Sequence, residues 1–408
     1  MTTPTMVEAV VAACLERLPA LGPPPENEPW AAHSLTRGAA GIALAHVERA
    51  HQGACSWPAA HAWIVQACAG QVSASPNTGL FQGLPAIAFL LHATGGRYRG
   101  GLADIARPLA DLVHQRATDA HARIIAGRPT EFREYDVFFG LTGLGALLLR
   151  LDPGGGALEH LLTALVALTR PVRVDGVWLP GWWVGHDPHR RRSAEFPGGH
   201  ANLGMAHGIT GPLALLALTA RNGLTVDGHD EAIAAILAFL DDWRQDGPHG
   251  PWWPQWISRA DHANARPSQT GPGRPSWCYG TPGIARAGQL AALATTNTTA
   301  QHAYETALAA CLADPAQQNL ITDPGLCHGA AGLYQTAWHA ARDAAIPTLA
   351  AHLPQLADRL TRLAALPHEH GPGFLDGDAG TLLALHTLRR HVSDPPPASG
   401  WDACLLLT

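Results

Sequence analysis

The chain of 408 residues contains no lysine, so arginine carries every fixed positive charge, and the formal net charge is -6 at pH 7. Without a general basic surface, nucleic acid is a poor partner. No apolar run reaches about 18 residues, so no transmembrane helix is expected. The opening stretch, MTTPTMVEAVVAACLERLP, has no basic region before its apolar part and carries Glu8 inside it, unlike a secretory signal. Closely paired cysteines are also missing. The seven, at positions 14, 55, 68, 278, 311, 327 and 404, are odd in number and scattered, which predicts free thiols in a reducing cytoplasm rather than a disulfide framework. Strand signals are sparse. What is there is a globular composition, 47% hydrophobic and 15% charged, with length enough for a large core. The 23 histidines offer many metal ligands and many accidental ones, so no single one carries weight alone.

One short pattern recurs from end to end. Gly-x-x-Gly followed by an Ala/Leu-rich run appears as RGAAGIALA from Arg37, FGLTGLGALLL from Phe139, HGITGPLALLAL from His207, YGTPGIARAGQLAAL from Tyr279, HGAAGLYQTAW from His328 and DGDAGTLLALHTL from Asp376. A seventh copy, QGLPAIAFLL from Gln82, has Ala86 where the others have a second glycine. The first glycines, at 38, 83, 140, 208, 280, 329 and 377, are 45, 57, 68, 72, 49 and 48 residues apart. Each interval has room for two helices of roughly 10 to 15 residues and their loops. Runs such as PLALLALTA are apolar nearly all round, as in helices covered on every side, whereas HDEAIAAILAFLDDWRQ from His229 mixes charged and apolar positions like an outer layer. The pattern predicts an all-α fold, an α/α toroid of seven helical hairpins in inner and outer layers, forming a single domain over 1–408. The glycine pairs by themselves predict close packing between helices.

Gly/Pro/Trp-rich insertions near 172–199 and 247–275 are too long for plain helix connections. Trp182, Trp183, Trp252, Trp253 and Trp256 in and around them are candidates to hold a peptide. The proline-rich stretches PPPENEP near residue 23 and SDPPPASG near 393 read as trimmings on the one domain.

If each glycine pair opens an inner helix, the residues just before it occupy equivalent places and converge on one mouth of the ring. One residue before the first glycine stand Arg37, Gln82, Phe139, His207, Tyr279, His328 and Asp376; two before it stand Thr36, Phe81, Phe138, Ala206, Cys278, Cys327 and Leu375. Two cysteines share a phase in adjacent repeats, with His328 beside one and His207 one repeat away. Zinc prefers thiolate and imidazole, and a catalytic site supplies three protein ligands with a fourth position open. Cys278, Cys327 and His328 are the candidate ligands. Neighbours on a helix point about 100° apart, so Cys327 and His328 can share an ion only from a loop, which Asp323, Pro324 and Gly325 supply. Helix N-termini also favour the thiolate form. Cys14, Cys55, Cys68, Cys311 and Cys404 sit among Ala and Leu and read as small buried hydrophobes.

The strings SWCYGTPG (276–283), LCHGAAGL (326–333), GGHANLGMAHGITG (198–211) and YDVFFGLTG (135–143) resemble the signature blocks of LanC-type lanthionine synthetase cyclases, over a span from Gly38 to Gly380. The resemblance implies an α/α toroid, Zn2+ on Cys278, Cys327 and His328, and His207 and Asp136 as acid/base residues facing it. Arg274 falls where the family tends to place an active-site arginine. The activity implied is that of a free-standing class I enzyme: cysteine thiols of a dehydrated precursor peptide add to dehydroalanine or dehydrobutyrine, giving lanthionine or methyllanthionine rings. A separate dehydratase would act first, a transporter is a further partner, and the location implied is cytoplasmic, with peripheral attachment to a membrane through such a complex.

In that chemistry a thiol with a pKa near 8.5 is little ionised at neutral pH, and zinc deprotonates it. Attack on the β-carbon leaves an enolate that needs a proton at its α-carbon. His207 is the candidate donor, with Asp136 orienting or deprotonating a partner and Arg274 stabilising the enolate oxygen. From the residues alone, Asp136 reads equally as a cap for the helix from Gly140, and Arg274 as a loop ion-pair residue. Asp376 and Asp378 read as helix-end caps without a catalytic role, and Arg190, Arg191 and Arg192 as a solvated loop. Three rivals stay open. A toroidal glycoside hydrolase would need two facing carboxylates, a peptide-binding scaffold with structural zinc would need four protein ligands, and a related enzyme would add a free thiol such as glutathione.

Overall fold

The computed structural model describes residues 4–22, 28–367 and 370–408, so most of the PPPENEP stretch lies outside the described residues. Helices dominate, and seven of them start at the expected glycines: Ala39–His51, Leu84–Ala93, Leu141–Leu151, Thr210–Arg221, Thr281–Ala294, Ala330–Asp343 and Asp378–Thr387. The first glycine of the pair is the N-cap of all but Thr210–Arg221, which starts two residues after Gly208. These helices are covered on every side, as their all-round apolar sequences require; in Thr281–Ala294 each residue from Thr281 to Ala292 is buried.

Most of the helices that follow them bury one stripe, Gly156–Leu168 being buried more widely. His229–Asp242 buries His229, Ala232, Ile233, Ile236 and Leu240, the spacing of a single helix face. The other second helices are Trp57–Ala67, Arg99–Ile125, Gly156–Leu168, Thr298–Ala313 and Thr348–Ala365. The seventh hairpin departs from expectation. After Asp378–Thr387 comes only the 3-10 turn Trp401–Leu405, and the helix packed on it is Pro4–Arg17 from the other end of the chain. The Arg17 guanidinium lies 2.6 Å from the buried Asp378 carboxylate, so Asp378, in the first turn of its helix as expected, is also an ion-pair residue.

The chain forms two compact units, residues 1–109 with 319–408, and residues 110–318. In the first, Asp378–Thr387 packs against Ala330–Asp343 and Ala39–His51, and Ala39–His51 against Leu84–Ala93. In the second, Thr210–Arg221 packs against Leu141–Leu151 and Thr281–Ala294.

The chain enters these helices through a turn that folds back over the helix start. A Cβ on Gly41, Gly211, Gly283, Gly332 or Gly380 would overlap the carbonyl oxygen six residues earlier, that of Leu35, Met205, Trp277, Leu326 or Phe374. The second glycine is therefore demanded first by its own turn, and at Gly41, Gly211 and Gly380 a Cβ would also meet Phe374, Val137 or Leu326 of the neighbouring repeat within 3.0 Å, the close packing the sequence suggested. Neighbouring turns are stitched together by main-chain hydrogen bonds. In the first unit Leu35 N–H donates to Phe81 O (2.9 Å), Phe374 N–H to Thr36 O (2.9 Å), and the N–H groups of Leu326 and Cys327 to Leu375 O (2.7 and 2.9 Å). In the second, Val137 N–H donates to Ala206 O (3.1 Å) and Ala206 N–H to Cys278 O (3.3 Å). Every acceptor stands two residues before a first glycine, so within each unit the phase-matched residues line one hydrogen-bonded band.

Strands among the described residues form three short antiparallel ribbons, all in or beside the insertions: Val172–Val174 with Val177–Leu179, His200–Asn202 with Trp256–Ser258, and Gln245–Gly247 with Gly250–Trp252. The tryptophans expected to hold a peptide are mostly core. Trp182, Trp183, Trp252 and Trp253 are buried, and the indole N–H groups of Trp183 and Trp253 donate to the carbonyls of Gly198 and Leu240, both at 2.8 Å. That leaves Trp256, half-buried. No helix among the described residues is long and apolar enough to cross a membrane.

Candidate metal centre

Cys278 sits on the turn before Thr281–Ala294, and Ser276 shapes that turn. The Ser276 hydroxyl donates to Tyr279 O at 2.8 Å, accepts from Tyr279 N–H at 3.3 Å and lies 3.5 Å from Cys278 Sγ. Cys327 and His328 occupy the corresponding turn before Ala330–Asp343. The expected loop is there: Asp323 Oδ1 accepts from Gly325 N–H at 3.0 Å, and Asp323 O from Ala330 N–H at 2.9 Å, so the buried aspartate bends the chain where a helix would have splayed the two side chains. Among the described residues, Cys278, Cys327 and His328 form the one group of three or more potential ligands whose atoms all lie within 4.8 Å of one another; Cys278 is buried and the other two are half-buried. A tetrahedral zinc ion, at about 2.3 Å from sulfur and 2.0 to 2.1 Å from nitrogen, spaces such atoms by roughly 3.5 to 3.8 Å. Two thiols and an imidazole at this separation fit a metal of zinc's preferences.

His207 lies on the turn before Thr210–Arg221. Its Nδ1 is 2.6 Å from Asp136 Oδ2, so Nδ1–H donates to the carboxylate and Nε2 is left for exchange. Asp136 is fully buried, and its other oxygen accepts from the N–H groups of Phe139 (2.6 Å) and Gly140 (2.8 Å). The carboxylate therefore serves two partners, the backbone just before the helix at Leu141 and the His207 imidazole. The imidazole is stacked between Phe132 and Phe138, at 5.4 and 5.0 Å between ring centres, and the Tyr135 hydroxyl donates to the His207 carbonyl at 3.2 Å.

Beside this arrangement, residues 29–406 match the sequence profile of lanthionine synthetase C-like proteins. The chain belongs to that family. Its fold is also that of the solved structure of nisin cyclase, which matches 98% of this chain and 96% of that one with a TM-score of 0.78 at 21% sequence identity. At that identity the likeness carries the fold, the all-α helical toroid expected from the repeats. No curated protein matches the sequence.

In this LanC-like chain Arg274 is half-buried on the loop that leads to Cys278, its carbonyl packed against Gly280. The arginine run is an exposed loop, as expected, and it is shaped locally by Asp187. Asp187 Oδ1 accepts from the N–H groups of His189 (2.9 Å) and Arg191 (2.8 Å), and the Arg190 guanidinium lies 4.7 Å from the centre of the Phe139 ring. Sequence reasoning gave no role to Asn202, which is buried and donates to the Tyr279 hydroxyl at 2.9 Å. The signal was Tyr279 itself, which shares the phase of His207 and His328. Of the remaining cysteines, Cys14, Cys311 and Cys404 are buried as expected, while Cys55 and Cys68 are half-buried. Burial pushes the Cys14 thiol up to about 12 and Cys311 higher still, which keeps both as inert thiols.

Proposed function

We propose that this LanC-like chain is a zinc-dependent lanthipeptide cyclase in which Cys278, Cys327 and His328 hold Zn2+. The observation that carries the reading is this Cys-Cys-His group in a chain of the lanthionine synthetase C-like family. Zn2+ held there would keep a substrate cysteine as thiolate at neutral pH. The sulfur of that cysteine adds to the β-carbon of dehydroalanine or dehydrobutyrine in a dehydrated precursor peptide. A C–S bond forms, the alkene electron pair moves onto the neighbouring carbonyl as an enolate, and a proton delivered to the α-carbon completes the thioether.

His207 delivers that proton from Nε2. Asp136 on Nδ1 fixes the ring and its tautomer, while the Phe132 and Phe138 rings restrict its rotation. Arg274 is assigned to the enolate oxygen, which a guanidinium stabilises as charge develops. A separate dehydratase must supply the electrophile, a transporter is the further partner, and scattered free cysteines suit the cytoplasm.

The test is to incubate a dehydrated precursor with zinc-loaded or chelator-stripped protein, alkylate remaining thiols and weigh the products. The expected result is loss of alkylatable thiols at constant peptide mass with the loaded protein alone. Full alkylation in both samples refutes the proposal, and a mass gain that requires added glutathione assigns the chain to free-thiol addition instead.

A further inference from the structure

We infer that Asp376 is a positioning residue for His328, holding the imidazole by Nδ1 so that Nε2 is presented to the metal. The inference rests on the metal-binding reading proposed above and goes beyond it to a residue outside the ligand set. Asp376 and His328 occupy the same place in consecutive repeats, one residue before the first glycine. Their turns are joined directly, because the carbonyl of Leu375 accepts from both Leu326 N–H (2.7 Å) and Cys327 N–H (2.9 Å). The residue before Asp376 is thus fastened to the two residues before His328. Both side chains line one cavity of about 410 Å³ together with Thr36 and Arg37.

Within this frame Asp376 Oδ1 lies 3.7 Å from His328 Nδ1. The same oxygen is shielded from solvent and accepts no hydrogen bond among the described residues. A shielded carboxylate oxygen without a donor is costly, and the imidazole N–H is the donor at hand. The gap exceeds a hydrogen bond of about 2.7 to 3.2 Å, and the broad terminal torsion of an aspartate closes it with little cost. The chain already contains the finished form of this device at the other in-phase histidine, where Asp136 Oδ2 meets His207 Nδ1 at 2.6 Å. A carboxylate on the distal nitrogen of a metal-binding imidazole fixes its tautomer and raises its basicity, and removing one costs 10- to 100-fold in metal affinity. Asp376 is accordingly more than the helix-end cap its sequence context suggested.

Zinc affinity of the purified full chain, measured by chelator competition, tests the assignment, with imidazole tautomers read by ¹⁵N NMR of the zinc-loaded protein. Asp376→Ala is expected to weaken zinc binding 10- to 100-fold. Asp376→Asn, which keeps an acceptor oxygen without the charge, should fall between it and wild type, and both should melt within a few degrees of wild type in the metal-free state. His328 should show a protonated Nδ1 in wild type. Unchanged zinc affinity in Asp376→Ala, or coordination of His328 through Nδ1, overturns the positioning role while leaving the metal centre intact. A wild-type chain that binds no zinc overturns both.

Discussion

Asp136 answers two demands with its two oxygens, one accepting from the backbone ahead of the helix at Gly140 and the other from His207. That division makes the role of His207 separable from metal binding. His207→Asn removes the acid without removing a proposed ligand. Zinc content should stay near wild type while thioether formation slows by roughly 10² to 10⁴. Loss of zinc along with activity would instead make His207 a ligand, and unchanged activity would discard both roles. Cys327→Ala should lose metal and activity together, whereas Cys311→Ala, whose thiol is buried and donates to Gln317 at 3.2 Å, should keep both. At this scale the repeat phase singles out Cys278, Cys327, His328 and His207 by counting back from glycines, and the structure brings the first three together. The Asp136–His207 pair and the stacking phenyl rings were not readable from spacing, because they depend on how one turn leans on the next. The resemblance implies an acid/base role for Asp136, whereas the residues alone leave that role and a cap equal.

Glycine pairs mark the starts of the buried helices, and their own turns add a demand to the close packing their sequence suggests. Since a Cβ on Gly283 would overlap the carbonyl of Trp277, Gly283→Ala should destabilise the chain by about 2 kcal/mol or more, in the upper part of the range for overpacking. Ala86 holds the same position in the second repeat and needs no such room. Ala86→Gly should cost only about 0.5 to 1 kcal/mol, the entropic penalty of a helical glycine. Denaturant midpoints of the two variants check the contrast, and equal shifts would mean that the turn yields freely. The helix starts were legible because one sequence signal recurs in register. The partner of the last helix was not, since nothing within residues 4–17 says that Arg17 meets Asp378. The insertion tryptophans were misjudged for a similar reason: composition places them on a ribbon without saying which face is covered.

Over the whole molecule, burial leaves an acid-sensitive signature. Burial pushes the His200 imidazole down to about 4 and that of His386 down to about 3, from an ordinary 6.5. Below about 6.5 the unfolded chain takes up protons that the folded chain refuses, so this part of the stability is intact above that pH and is lost as the pH falls toward 4. The loss is on the order of 3 kcal/mol per site by pH 4. Denaturant unfolding between pH 7.5 and 4.5 should show this decline, and His200→Gln, which retains a donor for the His186 carbonyl that His200 Nδ1 now meets at 2.8 Å, should flatten it. An identical slope in the variant would remove His200 from the account. Through all of this the main-chain band between turns acts as a ruler graduated in peptide groups. Because it measures from turn to turn and not along the hairpins, the repeats can differ from 45 to 72 residues without their reactive side chains losing step. Hairpin length is thereby left free to diverge, and within each unit a ribbon or loop can be gained or shed at the far end of a repeat while the chemistry at its near end stays in line.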